Sequence, residues 1–236
     1  MLEIIVETFE DAIAAETGGA QRLDLKADYP SGGVTPFLDT IDRVCEAVSI
    51  DVMVMVRPRP GDFFYSKDEL NDMCKTIARA KKKKRVSGFL LGALNQDNTL
   101  NERAIGDFIE LAGDKDVHVH LCWEMAPDPE YALERLIELG VKSVRITGGK
   151  GLGEKAVDYM EVLRSYQEKF GERIELVLAG GVDALNVAPL IQYTGIANAH
   201  TGSGVRTPRS VYGRTDARKV RELKSQFDLA VKNFIK

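Results

Sequence analysis

Short apolar or alternating segments recur along the whole chain, and a stretch with helical spacing of apolar residues follows each of them. Eight of the short segments have the length and the Val, Ile and Leu content of strands. They are Leu2–Glu7, Arg22–Leu25, Asp51–Val56, Gly88–Leu91, Val117–Leu121, Ser143–Thr147, Glu175–Ala179 and Ile196–His200. The pattern therefore predicts regular alternation of strand and helix.

Several of the predicted helices carry signals for where they begin and end. Thr8 is the predicted N-cap of the first helix, which is expected to stop at Gly18-Gly19. Thr35-Pro36 predicts the N-cap and first-turn proline of the second helix. Ser66 begins a capping box for the third, and the last helix follows Asp216.

The alternation favours one fold class. Eight strand and helix pairs without a compositional break predict a single domain over residues 1–236, an α/β protein with the (β/α)8 architecture of a TIM-type barrel. An open doubly wound sheet is the alternative, but the first strand is not followed by the GxGxxG turn of its dinucleotide-binding version.

The polar positions of these strands are unusual because many of them carry charge. If the outward positions pack against helices, the alternation turns the other side chains into the barrel. These inward residues are Glu3, Ile5, Glu7, Arg22, Asp24, Lys26, Met53, Met55, Arg57, His118, His120, Arg145 and Thr147. Buried charges require partners, so we expect Glu3 and Arg22 to form a structural pair. Near the carboxyl ends of the strands, where barrels carry their active sites, function is the better expectation.

Composition narrows the classes of partner. A formal net charge of −4 over 236 residues gives no general attraction to nucleic acid or to an anionic membrane. The three cysteines are scattered and lack CxxC spacing, which predicts a reducing, cytoplasmic environment. We expect neither a membrane span nor a signal peptide.

Two glycine-rich turns follow the seventh and eighth strands. They contain Gly180 and Gly181 in one turn, and His200, Gly202 and Ser203 in the other. Glycines let main-chain N–H groups approach an anion, and barrels of this type commonly bind phosphate at these two loops. The turns therefore predict an anion site.

The stretch RPRPGDFFYS at residues 57–66 resembles a motif of the CutC family of copper homeostasis proteins. The resemblance extends to Gly18-Gly19-Ala20 with Arg22, to Gly32-Gly33, and to Gly180-Gly181 with Asn186. It implies a cytoplasmic TIM-type barrel, a homo-oligomer, and a role in copper handling and copper binding. The biochemical activity of the family is open.

The chain also departs from the family pattern. Ile5 and Lys26 stand where family members often carry cysteines, which are the usual candidates for a copper site. The family's HRAFD becomes HLCWE at residues 120–124, and Arg145 replaces a residue that is usually apolar. Cuprous copper prefers thiolates and thioethers. Copper is thus implied by the resemblance alone, and the residues name no cofactor or metal ligand.

Three functions follow as hypotheses. The first is copper homeostasis. The second is an aldolase, isomerase or lyase acting on a small anionic, possibly phosphorylated, substrate. In the enzyme hypothesis, Asp24, His120 and Glu124 are candidate acid or base groups, and Lys26 is either an imine-forming nucleophile or a salt-bridge partner of Asp24. The proposed ligand-binding residues are Arg22, Arg57, Arg59, Arg145, Thr147, Gly180, Gly181, His200, Gly202 and Ser203; Arg59 has a second interpretation, pinning its own loop with Asp62. The third hypothesis is a barrel that only binds partners.

Overall fold

Eight parallel strands close into a barrel in sequence order in the computed structural model, which describes residues 1–234. The strands are β1 Leu2–Val6, β2 Arg22–Leu25, β3 Asp51–Met55, β4 Val86–Leu91, β5 Asp116–Val119, β6 Ser143–Ile146, β7 Glu175–Leu178 and β8 Ala199–Thr201. The predicted (β/α)8 barrel is confirmed, and the doubly wound alternative is excluded because β1 pairs with β8.

The helices surround the barrel. They are α1 Phe9–Gly18, α2 Leu38–Ala47, α3 Lys67–Ala80, α4 Glu102–Ala112, α5 Pro129–Glu138, α6 Met160–Phe170, α7 Val187–Thr194 and α8 Ala217–Phe234. An antiparallel pair, β9 Arg206–Thr207 and β10 Arg214–Thr215, lies between β8 and α8. Within residues 1–234, no helix combines the length and apolar character needed to cross a bilayer.

Two separate apolar layers confirm the predicted alternation. Leu2, Ile4 and Val6 belong to the main core between the sheet and the helices. Met53 and Met55, by contrast, pack with Leu90 in a small second cluster. The alternate positions of β1, between Leu2, Ile4 and Val6, therefore face the barrel interior, as Met53 and Met55 of β3 do.

Most of the predicted helix ends are observed. The Thr8 side chain accepts a hydrogen bond from the Asp11 N–H, and Gly19 stops α1 with φ of 99°. Such a positive φ favours glycine because it lacks a Cβ. Ser66 and Glu69 form both halves of a capping box.

Among the predicted boundaries that differ from the structure are the start of α2 and the start of β8. Helix α2 begins at Leu38, and Thr35 is not its cap. Instead, the Thr35 hydroxyl lies 3.0 Å from the Arg57 carbonyl oxygen and 2.9 Å from the Arg57 N–H, so it joins the loops after β2 and β3. Strand β8 spans Ala199–Thr201 rather than residues 196–200, because α7 and its Gly195 stop are followed by a connecting segment.

Candidate functional site at the barrel mouth

A cavity of about 610 Å³ opens at the carboxyl ends of the strands, and we call it the mouth. Its wall brings together residues from loops that are far apart in sequence, as the inward alternation predicts. Nine of the predicted site residues line it: Lys26, Arg57, His120, Arg145, Gly180, Gly181, His200, Gly202 and Ser203.

The other five predicted site residues lie elsewhere. Arg22 and Asp24 sit below the mouth in the barrel interior, and Glu124 and Thr147 bind each other behind its wall. Arg59 points away from the mouth and pairs with Asp62 and Glu69, so it stabilises its own loop. The predicted site residues therefore fall into two groups: those that line the mouth and can contact a ligand, and those that stabilise the structure around it.

At the base of the mouth, Glu3 binds three positively charged or ring-nitrogen groups, and we call the set the Glu3 network: Glu3, Arg22, Arg145 and His200, of which Arg145 and His200 also line the mouth. The Glu3 carboxylate accepts from Arg22 Nε at 2.5 Å, from Arg145 Nη2 at 2.5 Å and from His200 Nδ1 at 2.7 Å. Burial alone would raise the pKa of Glu3, but the two guanidinium groups and His200 outweigh it and hold the pKa well below its usual value. The predicted Glu3–Arg22 pair is thus present, and it is part of a larger cluster.

Lys26 and Asp24 form a second buried pair beside this network. The Lys26 ammonium lies 2.8 Å from Asp24 Oδ2, and the His200 Nε2 lies 3.7 Å from the same oxygen. Both side chains are almost fully buried. The contact is the salt-bridge arrangement, in which the Lys26 nitrogen already binds a carboxylate and is poorly placed to attack a substrate.

Arg57 differs from the other buried arginines because its partners are uncharged. Its guanidinium donates to the carbonyl oxygens of Ser31, Gly33 and Gly61 at 3.4, 3.0 and 2.7 Å. Its Nε is buried without an acceptor among the described residues, and the group stacks on the Phe63 ring at 4.7 Å. Carbonyl dipoles position the guanidinium but do not neutralise it. A positive charge consequently remains at the wall of the mouth.

The glycine turns after β7 and β8 offer main-chain donors. Within residues 1–234, the N–H groups of Gly180, Gly181 and Gly202 donate to no acceptor. Gly180 and Gly181 have φ of 83° and 74°. A Cβ on Gly180 would lie 2.4 Å from the Glu154 carbonyl oxygen, so the close approach of the two loops also demands glycine.

His120 enters the mouth from the end of β5. Its Nδ1 accepts the Cys122 N–H at 3.3 Å, and its Nε2 is buried without a partner among the described residues. Burial lowers the pKa of His120 to about 3, and the positive charges of Arg57, Lys26 and Arg145 act in the same direction. His120 is therefore a neutral imidazole at physiological pH.

Glu124 anchors the loop after β6. Its Oε1 accepts the N–H groups of Thr147 and Gly148, both at 2.8 Å, and its Oε2 lies 2.8 Å from the Thr147 hydroxyl. Burial raises the pKa of Glu124 to about 7, although these hydrogen bonds oppose the change. The geometry makes Glu124 a wall residue that also titrates near neutrality.

The sequence analysis did not identify all of the lining residues, and Tyr29 and Lys155 are two that it missed. The Tyr29 hydroxyl accepts the Ser203 N–H at 3.2 Å and so joins the loops after β2 and β8. Lys155 follows the glycine-rich stretch after β6 and faces the mouth beside Gly181. Their positions in loops at the carboxyl ends of strands were the available signal, because that is where this fold carries function.

The residues present do not fit cuprous copper. Among the described residues, Met55 is the one sulfur-bearing side chain that lines the mouth. Cys122 is fully buried, and burial raises the pKa of its thiol, while Cys45 and Cys74 lie on α2 and α3. A soft ion that prefers thiolates finds one thioether here.

The residues that could bind a hard cation already have other partners. Ligand atoms of Glu3, Asp24 and His200 lie within 4.8 Å of one another. The Glu3 carboxylate, however, already binds Arg145 and Arg22, and Lys26 occupies Asp24. A metal ion would have to displace these cations or share their counter-ions, and the contacts that the cluster makes are those of an ion-pair network.

Fold and site together define a TIM-type barrel with a polar, cation-bearing mouth. Comparison with known proteins gives the family: the sequence model of the CutC family matches residues 1–205, and the chain belongs to that family. A family protein CutC from Mesorhizobium japonicum is 36% identical over 200 residues, covering 85% of this chain and 76% of the relative.

Two further relatives agree. The copper homeostasis protein cutC homolog of Homo sapiens is 30% identical over 200 residues, covering 85% of this chain and 72% of the human protein. The crystal structure of a CutC protein from Streptococcus agalactiae superposes with a TM-score of 0.79 at 27% identity, covering 86% of this chain and 97% of that one. The family resemblance seen in the sequence is confirmed.

Proposed function

We propose that the mouth binds a small organic anion, with a phosphate group held by the loops after β7 and β8, and that the protein acts on this molecule. The observation that carries the proposal is the unneutralised guanidinium of Arg57 at the wall of a cavity with unused N–H donors. The same arrangement of donors and positive charge binds phosphate in other proteins.

The charge balance of the wall supports an anion. Asp24 and Glu3 neutralise Lys26 and Arg145 from below. Of the remaining charges in the wall, Arg57 and Lys155 are positive and Glu154 is the one carboxylate that lines the mouth among the described residues. Glu154 accepts a hydrogen bond from the Tyr159 hydroxyl at 2.7 Å, so this carboxylate already has a partner within its own loop. An anion in the mouth therefore meets a positive potential.

Thermal unfolding with and without phosphate tests this proposal. A ligand that binds the folded state alone stabilises it by RT ln(1 + [L]/Kd), so a phosphate concentration ten times the Kd contributes about 1.4 kcal/mol. We expect millimolar phosphate to raise the Tm more than chloride does at the same ionic strength. Equal effects of the two salts would contradict the proposal.

Two lysines of one loop provide a matched control. Lys155 lines the mouth, whereas Lys150 carries the same charge on the same loop and is not part of the wall. We expect Lys155→Ala to reduce the phosphate-specific rise in Tm and Lys150→Ala to leave it unchanged. If both variants lose the phosphate-specific rise in Tm to the same extent, the rise comes from the general positive charge of the loop and not from a binding site.

Copper homeostasis is the second candidate because relatives carry that name. Ile5 and Lys26 stand where family members often carry cysteines; Ile5 lies on β1, Lys26 directly follows β2, and both line the mouth. Without thiolates there, we expect weak, non-stoichiometric binding of cuprous ion under reducing conditions, measured by competition with a chromogenic chelator. Tight one-to-one binding that survives Cys122→Ser would favour the copper function.

A further inference from the structure

We propose that His120 is the selecting residue of the mouth: as a neutral Nε2–H donor, it binds a carbonyl oxygen on the anion whose phosphate lies at the β7 and β8 loops. This inference rests on the proposed function and narrows its ligand to phosphate esters that also carry a carbonyl group. It replaces the acid or base role that the sequence suggests for this histidine.

The main chain fixes the tautomer of His120. Because the Cys122 N–H donates to Nδ1, that nitrogen must present its lone pair, and the proton of the neutral ring must lie on Nε2. A second proton on Nδ1 would point at the Cys122 N–H and break this bond. The ring is consequently a donor at Nε2 and cannot accept a proton there from a substrate.

The donor is buried and unused. His120 is 7% exposed, and its Nε2 has no hydrogen-bond partner among the described residues, although the ring lines the mouth. A buried donor without a partner destabilises the folded state. A ligand oxygen at this position would remove that destabilisation, and would do so without competing with any acceptor of the protein.

Packing holds the ring in place. The Phe63 ring lies 4.8 Å from it, and a Cβ on Gly92 would come within 2.8 Å of His120 Cε1 and 2.4 Å of Cys122 Sγ. The absence of a side chain at residue 92 thus makes the space for the imidazole. A fixed donor of this kind also stabilises negative charge that develops on a carbonyl oxygen during a reaction.

The topology separates the two ends of the ligand. Strand β5, which precedes His120, is three positions from β8 and two from β7 around the closed barrel. A phosphate at Gly181 and Gly202 and a hydrogen bond to His120 therefore require one molecule that reaches across the mouth. A short phosphate ester with a carbonyl group is a molecule of this kind.

Calorimetric titration with two esters of equal charge tests the inference. Hydroxyacetone phosphate and propyl phosphate have the same length and differ in a carbonyl group. One additional neutral hydrogen bond predicts about three- to tenfold tighter binding of hydroxyacetone phosphate. His120→Phe should reduce this ratio to about one, while His120→Gln, which retains an amide N–H donor, should keep part of the ratio.

The outcomes separate this inference from the proposed function. If propyl phosphate binds but hydroxyacetone phosphate binds no more tightly, the selecting role is wrong and the phosphate site stands. The same holds if His120→Phe leaves the affinity ratio of the two esters unchanged. If neither ester binds, both are wrong. Nitrogen-15 NMR gives an independent readout: we expect a Nε2-protonated neutral ring from pH 5 to 8, and a Nδ1-protonated ring or titration in that range would overturn the inference.

Discussion

The barrel interior and the mouth above it both contain buried arginines, but they use them differently. In the Glu3 network, Arg22 and Arg145 each bind a carboxylate oxygen at 2.5 Å. At the mouth, Arg57 is held by carbonyl oxygens alone. Neutralised charge stabilises the barrel interior, whereas charge without a counter-ion is available for a ligand. The partners of a buried arginine, rather than its burial, thus distinguish a structural residue from a candidate binding residue.

The largest expected effect comes from breaking the Glu3 network. Removing one member of a buried ion pair leaves an uncompensated charge and typically costs about 3–5 kcal/mol. We expect Arg145→Leu to lower the free energy of unfolding by this amount, although His200 and Arg22 still bind Glu3. Urea unfolding measures the change.

An exposed pair serves as the control for that experiment. Arg173 binds Glu134 on the surface with both side chains more than a third exposed. Exposed pairs contribute about 0–1 kcal/mol, so Arg173→Leu should have a small effect. A similar cost for Arg173→Leu and Arg145→Leu would mean that the buried network is not a special source of stability.

The second prediction concerns Glu124, a residue of the wall that binds neither the arginines of the Glu3 network nor Arg57. Since its pKa rises from the ordinary 4.5 to about 7, the folded state binds the proton more tightly than the unfolded state between these pH values. The stability that Glu124 contributes is therefore full below about pH 4.5, falls as the pH rises to about 7 and is constant above it. This rise of the Glu124 pKa from 4.5 to about 7 corresponds to a change of at most about 3 kcal/mol in the free energy of unfolding.

Glu124→Gln should remove this pH dependence. The amide oxygen can accept the N–H groups of Thr147 and Gly148, and its NH2 group can donate to the Thr147 hydroxyl, as the protonated acid does. We expect the stability of the variant relative to the natural protein to increase from pH 5 to 7.5 in urea unfolding. A constant difference over this range would show that Glu124 keeps an ordinary pKa.

The fold was readable from the sequence because strand alternation and helix caps are local signals. The inward direction of Asp24, Arg145 and His120 could be predicted because successive side chains of a strand alternate between its two faces. Pairing could not be predicted in the same way, because it depends on register across strands: Arg145 meets Glu3 over 142 residues of sequence. The two arginines of RPRP show this limit most clearly, since identical side chains two residues apart have opposite surroundings.

Thr35 illustrates a different limit. Its position before Pro36 is a good local signal for a helix cap, but the Arg57 main chain competes for the same hydroxyl and binds it. Tyr29 and Lys155 were missed because nothing in their local sequence distinguishes them from surface residues. Their place in the wall is set by the closure of the barrel, which brings the loops after β2, β6 and β8 together.

The most direct measurement of the central claim compares phosphate affinity in Arg57→Met and Arg59→Met by calorimetric titration at constant ionic strength. Both variants remove one guanidinium from one loop, but Arg59 is neutralised by Asp62 and Glu69 and Arg57 is not. The account predicts that Arg57→Met weakens phosphate binding at least tenfold, about 1.4 kcal/mol, and that Arg59→Met changes it less than twofold. Equal effects in the two variants, or an unchanged affinity in Arg57→Met that retains the natural fold by circular dichroism, would contradict it.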